Sequence, residues 1–416
     1  MKFLVHAHLM FLASIMMLVL PSAYSEMMSS LSSAVVNNDD DFGNWLNHID
    51  ATCPVDPDED SDNDDHLPGR PASYDDHVVS KEAKERSKEK TQARDGGRRL
   101  GESKPSRKRT ITRGRPMIVV AKDGSGDVKT IQAAIDLVPQ ENKQRIIIYV
   151  KKGIYREKLI FPKSKPFITL KGEGSALTYI EWGDTASTVG DDGKPLSTFG
   201  SASVAVQSDD FIALDISFKN TAPAPKSGEI GKQAVALRVQ GDRAAFYRCG
   251  FYGAQDTLYD KSGRHYYYKC YIEGSIDFIF GNARSLFVKC HLHSIATPWG
   301  SISAQKRLEP EENTGYSFVY CMVTGSGTIY LGRAWGPYSR VVYAHTYFDN
   351  IIRPEGWNDF GLVANQKKVY YGEYKCFGPG AARTGRVPWS RILTDQQARP
   401  FLSISFIDGK SWLPNL

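Results

Sequence analysis

The chain has 416 residues, of which 41% are hydrophobic and 24% charged, so a packed core is within reach and wholesale disorder is excluded. With 36 Gly, 21 Pro and 21 Tyr against 8 Met, the composition suits a turn-rich β protein better than a helical bundle. The formal charge of +5 is uneven: residues 26–80 hold 14 acids and one base, 81–115 hold 14 bases and 5 acids, and 116–416 hold 36 bases and 28 acids, a net of +8. A body this basic attracts polyanions.

Residues 1–25 read as a signal peptide, with Lys2 as the positive start, Leu9–Leu20 as the apolar run and Ala23-Tyr24-Ser25 as the cleavage site. No later segment has the length of apolar residues that a membrane span requires. The expectation is a secreted, extracellular protein without a membrane anchor, and without an Asn-x-Ser/Thr acceptor for glycosylation. Residues 26–115 read as a disordered pre-region, acidic and then basic, that lacks the apolar surface to offset chain entropy. Arg98-Arg99-Leu100 within it is a candidate processing site.

Folded structure is expected from residue 116 to 416. Met117–Ala121 reads as a strand, and Thr130 as the cap of a helix whose Ile131, Ala134, Ile135 and Val138 share one face. Arg145–Val150 reads as a second strand. Beyond it the chain becomes a series of short apolar runs separated by Gly, Asn, Asp and Pro. Four of these align: Ala245-Phe-Tyr-Arg-Cys249, Tyr266-Tyr-Tyr-Lys-Cys270, Leu286-Phe-Val-Lys-Cys290 and Ser317-Phe-Val-Tyr-Cys321, with steps of 21, 20 and 31 between the cysteines. A repeat this short cannot fold alone and must stack on its neighbours. The economical architecture is an all-β, right-handed parallel β-helix with short helices at its ends, its coils about 4.8 Å apart. The repeat cysteines then form either an interior ladder of thiols or a ladder with one disulfide between adjacent coils.

The repeat also aligns two carboxylates. Asp256 and Asp277 each follow their repeat cysteine by seven residues, so register places them on neighbouring coils, within about 5–7 Å of each other. Gln233 and Gln255 fall beside them, 22 residues apart. Two close carboxylates repel, which makes them costly as scaffolding and splits their pKa values. One stays protonated while the other is ionised, the condition for an acid/base partner beside a nucleophile. Turn-capping aspartates and a calcium site are the competing readings, the latter ill suited to glutamines and a nearby Arg333.

The chain resembles the plant-type pectin methylesterases (pectinesterases). Five marks occur in order: Gly153-Ile-Tyr-Arg-Glu157, Gln233-Ala-Val-Ala-Leu-Arg238, Gly253-Ala-Gln-Asp-Thr-Leu-Tyr259, Asp277-Phe-Ile-Phe-Gly281 and Leu331-Gly-Arg-Ala-Trp335. The resemblance runs from Met117 to Leu416 and implies a β-helical carboxylic ester hydrolase. Such an enzyme removes methyl esters from homogalacturonan (pectin) in the cell wall, without metal or cofactor. It implies Asp277 as nucleophile, Asp256 as acid/base, Gln255 and Gln233 as amides around the oxyanion, and Arg333 and Trp335 as substrate-binding residues. Ser203 stands where the family has a substrate-contacting Thr. Tyr259, Phe280, Phe199 and Trp357 are further candidates for lining a groove, and Gly153–Glu157 is expected to be structural.

The implied partners are pectin and a proteinaceous pectinesterase inhibitor, with the enzyme a monomer that touches neither nucleic acid nor membrane. Two departures stand out. Ala334 replaces a Pro, which loosens the backbone between Arg333 and Trp335. The pre-region, with Cys53 alone, lacks the inhibitor-like domain of many relatives. A pectate lyase or polygalacturonase on the same scaffold, and a non-catalytic pectin-binding β-helix, are the alternative functions.

Overall fold

The computed structural model describes residues 117–226 and 228–414. The expected signal peptide, the expected pre-region and the candidate processing site Arg98-Arg99-Leu100 lie outside the described residues. The fold begins with the strand Met117–Val120 and the helix Ile131–Leu137. The Thr130 hydroxyl accepts from the Ala133 N–H at 3.2 Å, and Ile131, Ala134 and Ile135 are buried. Glu157, at the end of the first sequence mark, completes this cap: its two carboxylate oxygens accept the Ile131 and Gln132 N–H groups, each at 2.9 Å. That places an anion on the positive end of the helix, where its orphan donors need acceptors, and gives Gly153–Glu157 a structural task.

From there the chain winds as a parallel β-helix. One face is an 11-stranded sheet running from Met117–Val120 to Arg391–Ile392. Two further faces form a 14-stranded sheet, joined where His291–Gln305 and Met322–Arg333 run unbroken through the corner between them. Each coil from Ile146–Val150 to Trp357–Asn358 thus contributes to the first face, then to the second, then to the third. Short helical turns, from Asp395–Ala398 to Gly409–Ser411, close the C-terminal end.

The register matches the repeat read from the sequence: Ala245 pairs with Tyr266, Tyr266 with Leu286, and Leu286 with Ser317. A stack of rings follows inside the helix. Phe246, Tyr267, Phe287, Phe318 and Tyr343 lie one per coil, with centroids 4.9, 4.4, 4.6 and 4.6 Å apart. The ring spacing equals the strand spacing, so hydrogen-bonded register and aromatic stacking reinforce one another. The residue before each repeat cysteine (Arg248, Lys269, Lys289 and Tyr320) has φ between 51 and 55°, the left-handed kink that turns the chain from the first face to the second. Cys249, Cys270, Cys290, Cys321 and Cys376 are free thiols, and the first four are fully buried. Of the two arrangements expected, the thiol ladder is the one present. Each coil-to-coil step is marked by an S–H donating to a carbonyl of the preceding coil, as from Cys270 to Phe246 at 3.4 Å. The step of 31 residues contains the long strand His291–Gln305 and the loop leading to Gly315–Val319.

Candidate active site

The site lies on the third face. Its floor is one register row crossing successive coils: Arg238 pairs with Tyr259, Tyr259 with Phe280, Phe280 with Ala304, and Ala304 with Arg333. Asp256 and Asp277 sit at the turn that feeds this face, two residues before the strands Leu258–Asp260 and Ile279–Gly281. Leu258 pairs with Ile279 and the Asp256 N–H donates to the Ile276 carbonyl at 3.1 Å, so the two aspartates occupy equivalent positions one coil apart. Both have positive φ, 66° and 49°. Aspartate tolerates this conformation better than most residues, so one residue type meets the demands of both the turn and the chemistry. Gly281, which closes the second motif, has φ 130°, and a Cβ there would lie 2.1 Å from the Asp260 carbonyl oxygen.

A cleft of about 420 Å³ opens above this row. Gln233, Gln255, Asp256, Asp277, Arg333 and Trp335 all line it, together with Tyr259, Phe280 and Phe199. The Ala234 N–H donates to the Gln255 carbonyl at 3.1 Å, which sets the two glutamines on adjacent coils. Arg333 grips Asp277 with two parallel bonds, Nε to Oδ1 at 2.9 Å and a terminal N–H to Oδ2 at 2.7 Å. Its guanidinium also stacks on Phe360, 4.4 Å from the ring centroid. Burial, and then the charge of Asp277, push the Asp256 carboxyl well above the usual carboxylate range, and Arg333 pulls it back only in part. Desolvation comes first and repulsion second, so the asymmetry between the two acids is built into the fold.

Two sequence expectations land elsewhere. Ser203 is fully buried just before the strand Val204–Val206, and its hydroxyl has no partner among the described residues. The serine and threonine that line the cleft are Ser197 and Thr198. Trp357 is 1% exposed and stacks on Tyr371 with centroids 4.3 Å apart, a core residue on the far side of the floor. The Ala334 backbone, expected to be loose, is pinned: its N–H donates to the Asn358 carbonyl at 2.9 Å and its carbonyl accepts from Asn365 at 3.0 Å. A proline could not make the first of these bonds.

Sequence reasoning missed Ser301. Its hydroxyl accepts the Asp277 N–H at 3.0 Å and donates to Asp277 Oδ1. The signal was the alternation of Ser301, Ser303 and Gln305, three polar side chains fully buried along one strand. Ser301→Ala removes a donor to the carboxylate and orphans a buried N–H. It should cost about 1–3 kcal/mol of stability and lower kcat roughly tenfold, with less effect on KM. Thermal melts and Michaelis curves check both.

The raised pKa of Asp256 has a second consequence. In the folded chain it holds its proton at pH values where the unfolded chain, with an ordinary value of about 3.9, releases it. Its contribution to stability is therefore complete below that value and is lost as pH rises through the folded-state pKa. Asn at this position has no such dependence. Melting temperatures across pH should show Asp256→Asn gaining on the wild type from acid toward neutral pH.

These two acids, flanked by amides and an anchored arginine on a parallel β-helix, line the cleft of a carboxylic ester hydrolase. A family model, Pectinesterase, matches residues 117–410, and the chain belongs to that family: it is a pectinesterase. It is 52% identical over 301 residues to Pectinesterase QRT1 of Arabidopsis thaliana, an alignment covering 72% of this chain and 79% of that protein. It is 46% identical to Pectinesterase 31 of the same plant, covering 71% of this chain and 95% of the relative. Among solved structures, the pectin methylesterase from carrot is similar at 39% identity and a TM-score of 0.66, over 71% of this chain and 94% of that one. The pectin methylesterase PemA from Erwinia chrysanthemi is similar at 27% identity and a TM-score of 0.62, over 72% and 98%.

Proposed function

We propose that the chain removes methyl esters from pectin, leaving polygalacturonate and methanol, and that Asp277 and Asp256 carry the reaction. The observation that carries this reading is the opposite condition of the two acids: Asp277 is paired with Arg333, and Asp256 is pushed toward its protonated form. Asp277 Oδ1 accepts from both Arg333 and Ser301, whereas Oδ2 accepts from Arg333 alone among the described residues. Oδ2 thus keeps a lone pair to attack the ester carbon. Amide N–H groups of Gln255 and Gln233, both on the cleft wall, stabilise the negative oxygen that develops. As the tetrahedral species collapses, Asp256 gives its proton to the departing methoxide, and methanol leaves. The acyl group remains on Asp277 as an anhydride. Asp256, now ionised, takes a proton from water, and the resulting hydroxide opens the anhydride. Free Asp277, a new galacturonate carboxylate and reprotonated Asp256 result, and the proton of the new acid leaves to solvent. Trp335 and Phe280 offer apolar faces to sugar rings.

The substrate assignment draws on family membership, on the carrot and Erwinia neighbours, and on a solved pectin methylesterase in complex with a hexasaccharide. The same reading makes the chain a secreted, monomeric enzyme of the cell wall, subject to a proteinaceous pectinesterase inhibitor. Purified protein should release methanol from highly methylated pectin without forming the ultraviolet-absorbing unsaturated product of a lyase. Unsaturated product without methanol would replace this reading with elimination. No turnover at all would leave a pectin-binding β-helix.

A further inference from the structure

The cleft holds a cation for which the ester chemistry above has no use. Lys306 is half-buried on its wall, with Nζ 4.1 Å from the centroid of the Trp335 ring. Its backbone N–H donates to the Gly281 carbonyl at 2.8 Å, which ties it to the end of the strand that Asp277 leads into. No carboxylate pairs with Lys306 among the described residues, whereas the charge of Asp277 is met by Arg333 and burial favours the neutral form of Asp256. The wall carrying Phe199 differs. There Arg238 is 4% exposed, lies 3.4 Å from the Phe199 ring centroid and donates to the Phe199 carbonyl, so its charge is covered. Among the residues lining the cleft, Lys306 is the cation left available to a ligand.

We propose that Lys306 determines specificity: its ammonium receives the free carboxylate of a uronic acid unit next to the methyl ester under attack. A partly de-esterified stretch is then a better substrate than a fully methylated one. The inference rests on the ester-hydrolase reading above. An aromatic face holds an ammonium weakly, and a carboxylate holds it through a charge-assisted hydrogen bond, so an arriving uronate takes the cation from the ring. A methyl ester at the same place carries no charge and leaves Lys306 on Trp335. The indole then supports the sugar face while the ammonium distinguishes acid from ester.

The test compares wild type with Lys306→Met, which keeps the stem and loses the charge, and with Lys306→Arg, which keeps the charge. Methanol release is measured on two oligogalacturonates, one fully methylated and one with a methyl ester flanked by free acids. In Lys306→Met, kcat/KM on the second should fall by roughly three- to tenfold relative to the first, a span expected for one partly screened charge pair. Lys306→Arg should restore the ratio. Binding of a fully de-esterified oligogalacturonate, measured by calorimetry, should weaken by a similar factor in Lys306→Met and does not depend on turnover. Equal losses on both substrates, or unchanged binding of the de-esterified oligomer, would overturn the proposal. Wild type that binds the oligomer through Lys306 but releases no methanol would overturn the esterase reading, and with it the specificity role, and leave Lys306 as a carboxylate-binding group. If Lys306→Met fails to fold, wild type decides: moderate salt should raise KM on the acid-flanked oligomer more than on the methylated one, and equal salt sensitivity would count against Lys306.

Discussion

Asp277→Asn should lower methanol release by roughly three powers of ten or more while the β-helix stays folded, since loss of an attacking group costs on that scale. The amide is nearly isosteric with the carboxylate. Its oxygen can still accept from Ser301 and from Arg333 Nε, the partners of Oδ1 in the wild type. Its NH2 group, however, faces the Arg333 N–H that now donates to Oδ2, so two donors oppose each other. A stability loss of about 1–3 kcal/mol is expected from that conflict, visible as a lower but still cooperative melt. Asp277→Ala removes the conflict and serves as a second reading of activity. Retention of more than about a tenth of wild-type turnover in both variants would remove Asp277 from the nucleophile's role.

The second large effect is expected at Arg333. Arg333→Ala should lower kcat/KM by about a hundred- to a thousandfold, the usual cost of losing a charged donor that holds the reacting centre. Two changes act together: Asp277 loses both parallel bonds, and Asp256 loses the one charge that draws its pKa downward. Lysine should restore little, because a point charge cannot supply two coplanar N–H bonds or stack on Phe360 as the guanidinium does. Michaelis curves for Ala and Lys variants on highly methylated pectin decide. Losses under about fivefold would mean that Asp277 is oriented mainly by Ser301.

Much of this site was legible because a β-helix turns sequence spacing into geometry. Cys249 and Cys270 step by 21 residues, and so do Asp256 and Asp277; once the cysteines are in register, the carboxylates must be. The same rule carries Tyr259 and Phe280 into one outward row. Legibility fails where a coil departs from the repeat. Ser301 and Lys306 belong to the longest of the three cysteine-to-cysteine steps, where His291–Gln305 runs through a corner with a register shift between Ile295 and Trp299, so spacing from Cys290 says nothing about where they point. Ser203 was placed by family resemblance alone, which does not say that the chain there runs into Val204–Val206, a strand buried on both faces. Trp357 failed for a related reason: aromatic character suits a sugar platform and an interior stack equally, and its partner Tyr371 lies inside. At Ala334 the local rule about proline was sound, but hydrogen bonds from Asn365 and to Asn358, more than twenty residues downstream, supply the rigidity that a ring would have supplied.

The central claim is that the chain hydrolyses a methyl ester by attack at its acyl carbon, and hydrolysis in water enriched in heavy oxygen tests it most directly. Mass spectrometry of both products after many turnovers should find unlabelled methanol, which keeps the methoxy oxygen of the substrate, and label in the new galacturonate carboxylates. The second result follows whichever carbonyl of the anhydride water opens, because label left on Asp277 passes to the next acyl group. Labelled methanol would mean attack at the methyl carbon, and unsaturated uronide without methanol would mean elimination. Either result would contradict the account.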